Sequence, residues 1–371
     1  MKDERIVKLA HNLVNYSVAA KKGDKVLIEA FDVPYPLVTE LIKAVYAAGA
    51  QAFVTNIDTR VRAQLLKGAT DEQLTLWSKL DAAVMSEMDC YIGLRGSDNA
   101  YENAGVPSER MDKFMSIYSH PVHHEIRVKK TRWVVLRYPS PSMAQLAGMS
   151  TEQFEDHYFN VCNLDYSKMD KAMDALAALM NKTDKVRLVA NGTDLTFSIK
   201  DIPAVKCSGH MNIPDGEVYT APVKNSVNGV ITYNTPTVYN GTRFDWVKLT
   251  FKDGKIIQSD SSDKAKSDAI FDTDDGAKYV GEFAIGVNPF ITEAIGDILF
   301  DEKICGSIHF TPGCCYDDAY NGNISAVHWD LVLRQTPAVG GGKIYFDGVL
   351  IRDDGRFVLP ELDCLNPENL K

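Results

Sequence analysis

VLIEAF at residues 26–31, followed by LVTELIKAVYAAGA at 37–50 and QAFVTNI at 51–57, is the stretch that decides the fold. The first and last segments are short apolar runs, and the turn-forming KKGDK at 21–25 precedes the first. The middle segment carries its apolar residues at helical spacing and stops at Gly49. Strand, helix and strand within about 35 residues make a βαβ unit, which implies a parallel strand pair joined by a right-handed crossover.

The pattern continues outward. Ile6, Leu9, Ala10, Leu13 and Val14 predict an amphipathic helix within residues 3–20. Downstream, DEQLTLWSKLDAAVMSEM at 71–88 reads as a helix, and DCYIGLRG at 89–96 and RWVVLR at 132–137 read as strands. PSPSMAQLAG at 139–148 is a loop leading into a helix, and Tyr166 to Asn181 is helical in pattern. The first strand runs into FDVPYP with no GxGxxG after it, so a dinucleotide site loses its main support.

Beyond residue 183 the texture changes. Asn-Gly and Asp-Gly pairs at 191–192, 228–229, 240–241, 253–254, 347–348 and 354–355 predict hairpin turns between short apolar runs. FDWVKLTFKDGKIIQS at 244–259 is the clearest hairpin, and a helix is expected near 262–270. A chain of 371 residues also exceeds the usual size of one core. The expectation is therefore an α/β protein: an N-terminal open α/β sheet domain over 1–183, then an α+β C-terminal domain over 184–371 rich in antiparallel strands.

Fifty acidic against 40 basic residues give a formal charge of -10, which disfavours non-specific attraction to nucleic acid or anionic membrane. Arg127, Lys129, Lys130 and Arg132 read as a solvated basic face. The first 17 residues lack a continuous apolar core, so no signal peptide is expected, and Thr39, Glu40 and Lys43 interrupt an apolar-rich stretch at 36–54. Seven cysteines, an odd number spread along the chain, fit a reducing compartment. A cytoplasmic location is expected. Cys314 and Cys315 have the wrong spacing for a CxxC motif and read as buried or wall-lining.

Two of the eight histidines, His309 and His328, fall in one block that ends with Asp330. In an extended HxD segment His328 and Asp330 share a face. Imidazole and carboxylate together suit zinc, cobalt or manganese, although a lone HxD is more often a hydrogen-bonded loop or core histidine. Glu217 and Glu282 each stand between a glycine and an apolar residue. Each is either on the solvent face of a strand or an inward carboxylate that needs a strong partner. HPVHHE at 120–125 could bind metal, but it reads as a surface or interdomain loop. Arg243 reads as half of a structural salt bridge.

Taken together, IPDGEVYTAP at 213–222, GEFAIGVNP at 281–289, DEKICGSIHF at 301–310, GCCYDDAYNGN at 313–323 and SAVHWD at 325–330 resemble the thermophilic-type metallo-aminopeptidases. VLIEA at 26–30, LVTELIKAVYAAGA at 37–50 and RYPSPSMAQLAGMS at 137–150 extend the resemblance over nearly the whole chain. It implies two divalent metal ions held by Glu217, Glu282, His309, His328 and Asp330, with Tyr316 and Glu217 as catalytic residues. It further implies short peptides with a free N-terminus as substrates and a homodimer with an enclosed cavity. Residues that contact the substrate are not identified. Cys314 and Cys315 depart from the family pattern, in which small residues such as Gly or Ser are more usual beside the tyrosine. The ligand set by itself also fits a metallo-hydrolase acting on another amide or a phosphoester, or a non-enzymatic metal-dependent peptide-binding protein.

Overall fold

Six of the seven residues of β1 (Lys25–Phe31) are buried. Such a run is what a parallel strand covered on both faces requires. In this computed structural model, which describes residues 3–99 and 101–371, β1 pairs in parallel with β2 (Gln51–Ile57) and β3 (Cys90–Arg95). β3 pairs in parallel with β4 (Arg132–Arg137), and the short strand Asn212–Ile213 extends the sheet beyond β4, giving the order β2-β1-β3-β4-(212–213). The crossover helix Tyr35–Ala47 closes at Gly49, whose φ of 75° supplies the left-handed residue that ends many helices.

Two expectations for this region are corrected. HPVHHE is not a loop but part of a π-helical stretch, Phe114–Arg127. Buried Phe114, Tyr118 and Val122 recur every four residues and carry the helix past Pro121, whose missing N–H favours a wider turn. The basic cluster is not a uniform solvated face either. Arg127 packs 4.3 Å above the Trp133 ring and Arg132 pairs with Asp24, which leaves Lys129 and Lys130 exposed.

The chain forms two compact units, one running to Asn163 and including Gly209–Pro214, the other made of Leu164–Ser208 and Asp215–Lys371. This division precedes the expected 183/184 boundary because the helix Tyr166–Met180 belongs to the second unit. That helix packs on the strands β5 (Val205–Cys207) and β6 (Glu217–Thr220). Lys206 Nζ lies 2.7 Å from Asp174, and Ser208 Oγ donates to Asp170 over 2.8 Å.

The second unit contains the expected antiparallel strands. An eight-stranded sheet runs in the order 255–261, 247–252, 228–233, 193–198, 185–190, 342–346, 349–353, 356–357. A five-stranded sheet adds β7 (Val280–Gly286), β8 (Ser307–Pro312) and β9 (Val332–Arg334) in the order β9-β8-β7-β6-β5. Asn240, Asp253, Asp347 and Asp354 all have positive φ and precede a glycine of positive φ, the geometry of tight hairpin turns. Asn191-Gly192 also joins two strands. Asn228-Gly229 does not turn but begins the strand Asn228–Tyr233. A Cβ on Gly229 would sit 2.2 Å from the carbonyl oxygen of Asp194, so glycine permits close backbone approach there. The helix expected near 262–270 spans Lys264–Phe271, and Arg243 pairs with Asp245 at 2.9 Å. Among the described residues no helix is long and apolar enough to cross a membrane.

Candidate metal centre

Strand register brings the upstream glutamates to the histidine block. Thr311 stands opposite Glu282, both His309 and Tyr219 stand opposite Ala284, and Glu217 stands opposite Gly286. Because side chains alternate, these residues share one face of the sheet. Ala284 and Gly286 keep that face low between the larger side chains. A Cβ on Gly286 would come within 2.5 Å of the Ile304 carbonyl oxygen.

His328 and Asp330 arrive from outside the regular strands. A bridge between Gly313 and His328 holds them, and Thr311 Oγ1 donates to Asp330 Oδ1 over 2.8 Å. His328 Nε2 lies 3.3 Å from Asp330 Oδ1, as the HxD spacing anticipates for an extended segment, and 3.3 Å from Glu282 Oε2. The other oxygen of Glu282 lies 3.3 Å from His309 Nε2, and His309 Nδ1 is 3.6 Å from Glu217 Oε2. All five predicted ligand residues therefore converge. They fall into two groups of mutually close donor atoms, Glu217–Glu282–His309 and Glu282–His328–Asp330, which share Glu282.

Both imidazoles are oriented through Nδ1. His309 donates to the carbonyl of Glu302 at 3.3 Å, and His328 donates to that of Cys314 at 2.8 Å. A carbonyl can only accept, so each Nδ1 bears hydrogen and each Nε2 faces the carboxylates, the arrangement typical of metal-bound histidine. Two buried atoms, His328 Nε2 and Glu217 Oε2, have no hydrogen-bond partner among the described residues. Unsatisfied buried lone pairs beside carboxylates are costly unless a cation lies among them. The residues present thus fit divalent ions bound through N and O donors.

The electrostatics agree. Burial pushes Glu217 up to about 8 against the opposing pull of Lys303 and His309. Burial works against a charged His309, yet Glu217 and Glu282 raise it to about 10, and Asp330 with Glu282 likewise raises His328 to about 12. Burial would raise Glu282 and Asp330, but the imidazoles hold both below the usual carboxylate range. Protons and divalent cations compete for the same lone pairs in such a cluster.

Tyr316 stands at the rim, with 48% of its surface exposed and its ring centroid 4.9 Å from that of His328. Packing around the phenol and then the charges of Glu282 and Asp330 raise its pKa, so the hydroxyl keeps its proton. Cys315 is buried with Sγ 3.2 Å from the carbonyl of Asn323, and Cys314 is half-buried, in keeping with wall-lining roles. Sequence reasoning missed Lys303. It is 1% exposed, lies 3.5 Å from Glu217 and pairs with Glu302. The adjacent acid in DEK is the one signal that could have pointed to it. Cys207 and Asp215 also approach Glu217, but burial and then those two carboxylates keep the Cys207 thiol protonated.

A family profile described as thermophilic metalloprotease (M29) matches residues 2–357. Aminopeptidase PepS of Streptococcus thermophilus is 25% identical, over 93% of this chain and 94% of that protein. Among solved structures, wild-type AmpT from Thermus thermophilus superimposes with a TM-score of 0.78 at 22% identity, covering 96% of this chain and 99% of that one. A 2,5-dihydroxypyridine dioxygenase from Pseudomonas putida KT2440 shares the fold at a TM-score of 0.62 and 12% identity, over 96% and 98% of the two chains. The architecture thus also occurs in a protein named for different chemistry, and the reaction has to be argued from the site.

Proposed function

This chain belongs to the thermophilic metalloprotease family, M29, and from that premise we propose that it is an aminopeptidase whose five converging side chains hold two divalent ions. The observation that carries the proposal is the sharing of Glu282 between two ligand groups. Glu217, Glu282 and His309 would hold one ion, and Glu282, His328 and Asp330 the other, with Glu282 as the common carboxylate. Three carboxylates and two neutral imidazoles offer a ligand charge near -3, and zinc, cobalt and manganese all suit this donor set.

When bound, two such ions supply a water of lowered pKa and polarise the scissile carbonyl. The protein's own contribution is orientation and proton placement. The carbonyls of Glu302 and Cys314 fix both imidazoles with Nε2 toward the centre. Tyr316 keeps its phenolic hydrogen and can donate it to the oxygen on which negative charge develops. Glu217 turns Oε1 toward Lys303 and Oε2 toward His309, so as a carboxylate that binds an ion through one oxygen it keeps the other to accept and return a proton during hydrolysis. Lys303 balances the negative charge of Glu217 and Glu302 without reaching further into the cluster.

Short peptides with a free N-terminus are the proposed substrates, in line with the aminopeptidases PepS and T among this chain's relatives. A homodimer is also proposed. Phe53 and Val54 on β2, and Leu76, Leu80 and Val84 on the helix Asp71–Ser86, are exposed apolar residues of the kind an interface covers. Seven free thiols favour a reducing, cytoplasmic setting.

The test is hydrolysis of aminoacyl-p-nitroanilides and their N-acetylated counterparts by metal-stripped protein, with zinc, cobalt, manganese or magnesium restored singly. Cleavage of the free-amine substrates alone is expected. Equal cleavage of both series, or none with any ion, would defeat the proposal.

A further inference from the structure

Within the N-terminal unit, a partly enclosed cavity of about 130 Å³ lies among β1, β3, the helix Thr59–Gly68, the helix Asp71–Ser86 and the π-helical stretch. Its walls include Glu29, Phe31, Arg62, Trp77, Arg95 and His123. The charges on these walls do not balance. The guanidiniums of Arg95 and Arg62 both lie over the ring of Phe31, at 3.9 and 4.6 Å from its centroid. A third, Arg127, sits 5.3 Å above Tyr91 behind them. Glu29 is the one acid among the lining residues, and its Oε2 already accepts from Tyr91 Oη at 2.5 Å and from Arg95 at 3.5 Å.

Arg62 is the less compensated member: burial and Arg95 lower its pKa, and the carboxylates of Glu29 and Asp32 oppose them without an ion pair to it among the described residues. Its Nε is buried and has no hydrogen-bond partner among the described residues. Two guanidiniums crowded on one aromatic ring, with one carboxylate already engaged, leave a surplus of positive charge in a poorly hydrated space. An oxyanion is the group that relieves it, because planar guanidinium forks match carboxylate oxygens. His123 adds no countercharge. Burial, then Arg127 and Arg95, lower its pKa to about 3, so it faces the cavity as a neutral ring.

The geometry points to a binding site for a small organic carboxylate, with its oxygens on Arg62 and Arg95 and a short apolar chain against Trp77 and Phe31. The volume is well below that of pockets for drug-sized ligands, which limits the occupant to a few heavy atoms. The aromatic walls favour a carboxylate carrying an alkyl group over inorganic phosphate, whose remaining oxygens would mainly meet the rings of Phe31, Trp77 and Phe114. Nothing in this site depends on the metal centre, and the two readings stand or fall separately.

The test is calorimetric titration of the full metal-loaded chain with 3-methylbutanoate, its uncharged amide and inorganic phosphate at constant ionic strength. Saturable binding of the carboxylate alone is expected, weakened about tenfold or more in Arg62→Met, which keeps apolar cover over Phe31. The unsubstituted chain gives a second readout: the carboxylate should change tryptophan fluorescence, and the change should vanish in Trp77→Phe. Absence of saturable binding, equal affinity in a folded Arg62→Met variant, preference for phosphate, or a fluorescence change that persists without Trp77 would each overturn the assignment.

Discussion

The Nδ1 of His328 lies 2.8 Å from the carbonyl oxygen of Cys314, so a backbone atom rather than a side chain fixes the tautomer of this imidazole. That carbonyl is seated against Gly281, where an added Cβ would stand 2.2 Å from the oxygen. Gly281→Ala should displace the carbonyl and weaken metal binding by about 10- to 100-fold, the usual cost of losing a histidine's outer partner. Cys314→Ala, which keeps the carbonyl, should bind metal as the parent does. Competitive titration with a chromogenic chelator checks both, and equal affinities would show that the contact does not matter.

Glu282 belongs to both ligand groups, whereas Asp330 belongs to one. Glu282→Ala should therefore disrupt both ion sites, while Asp330→Ala should spare the group around His309. Elemental analysis of the purified variants reads the difference directly. Full metal content in Glu282→Ala would remove the shared carboxylate from the scheme.

Tyr316 touches the ring of His328 but is in neither ligand group. Tyr316→Phe should keep its metal and lose about 10²- to 10³-fold in kcat with little change in KM, the pattern for a donor used mainly in the transition state. Loss of metal from this variant would instead make the phenol a ligand.

Much of this was legible in the sequence, and the exceptions have physical causes. The parallel sheet could be read because buried parallel strands are uninterrupted apolar runs, as in residues 26–31. Hairpins could be read at Asp253-Gly254 because only a few residue pairs tolerate two successive left-handed conformations. The same dipeptide logic misread Asn228-Gly229, where glycine serves a close strand approach. Glu217 and Glu282 stand out as acids beside a glycine, but they could be assigned as ligands only through family likeness, since their meeting with His309 depends on register across three strands. Lys303 and the arginine cavity were hidden for a related reason. A buried charge looks like a surface charge until its neighbours are known.

Lys303 is almost wholly enclosed between Glu217 and Glu302. Lys303→Met should leave two buried carboxylates uncompensated and cost the metal-free protein about 3–5 kcal/mol. Added zinc should recover part of the loss by supplying positive charge nearby. Urea unfolding with and without chelator measures this, and an unchanged midpoint in the metal-free variant would refute it.

His123 provides a pH test away from the metal centre. Its folded-state pKa is lowered to about 3 from an ordinary 6.5, first by burial and then by Arg127 and Arg95. Below pH 6.5 the unfolded chain therefore binds a proton that the folded chain refuses. Stability from this group is complete above that pH and falls as the pH drops toward 3, by at most about 1.4 kcal/mol per unit. His123→Gln should flatten this part of the profile without changing stability at pH 8 in the same sense. Parallel profiles for the two proteins between pH 4 and 6.5 would rule the effect out.

The strand Asn212–Ile213, which flanks β4, is encoded after the 45 residues Leu164–Ser208 that belong to the other unit. During synthesis the N-terminal sheet thus waits for a late segment before Val135 and Leu136 of β4 gain their outer partners. A fragment ending at Asn163 would carry β4 with bare amide and carbonyl groups, the template on which strands of other chains add. Nascent chains stalled in that interval, and truncations made there, should be clients for chaperones rather than a soluble half-protein.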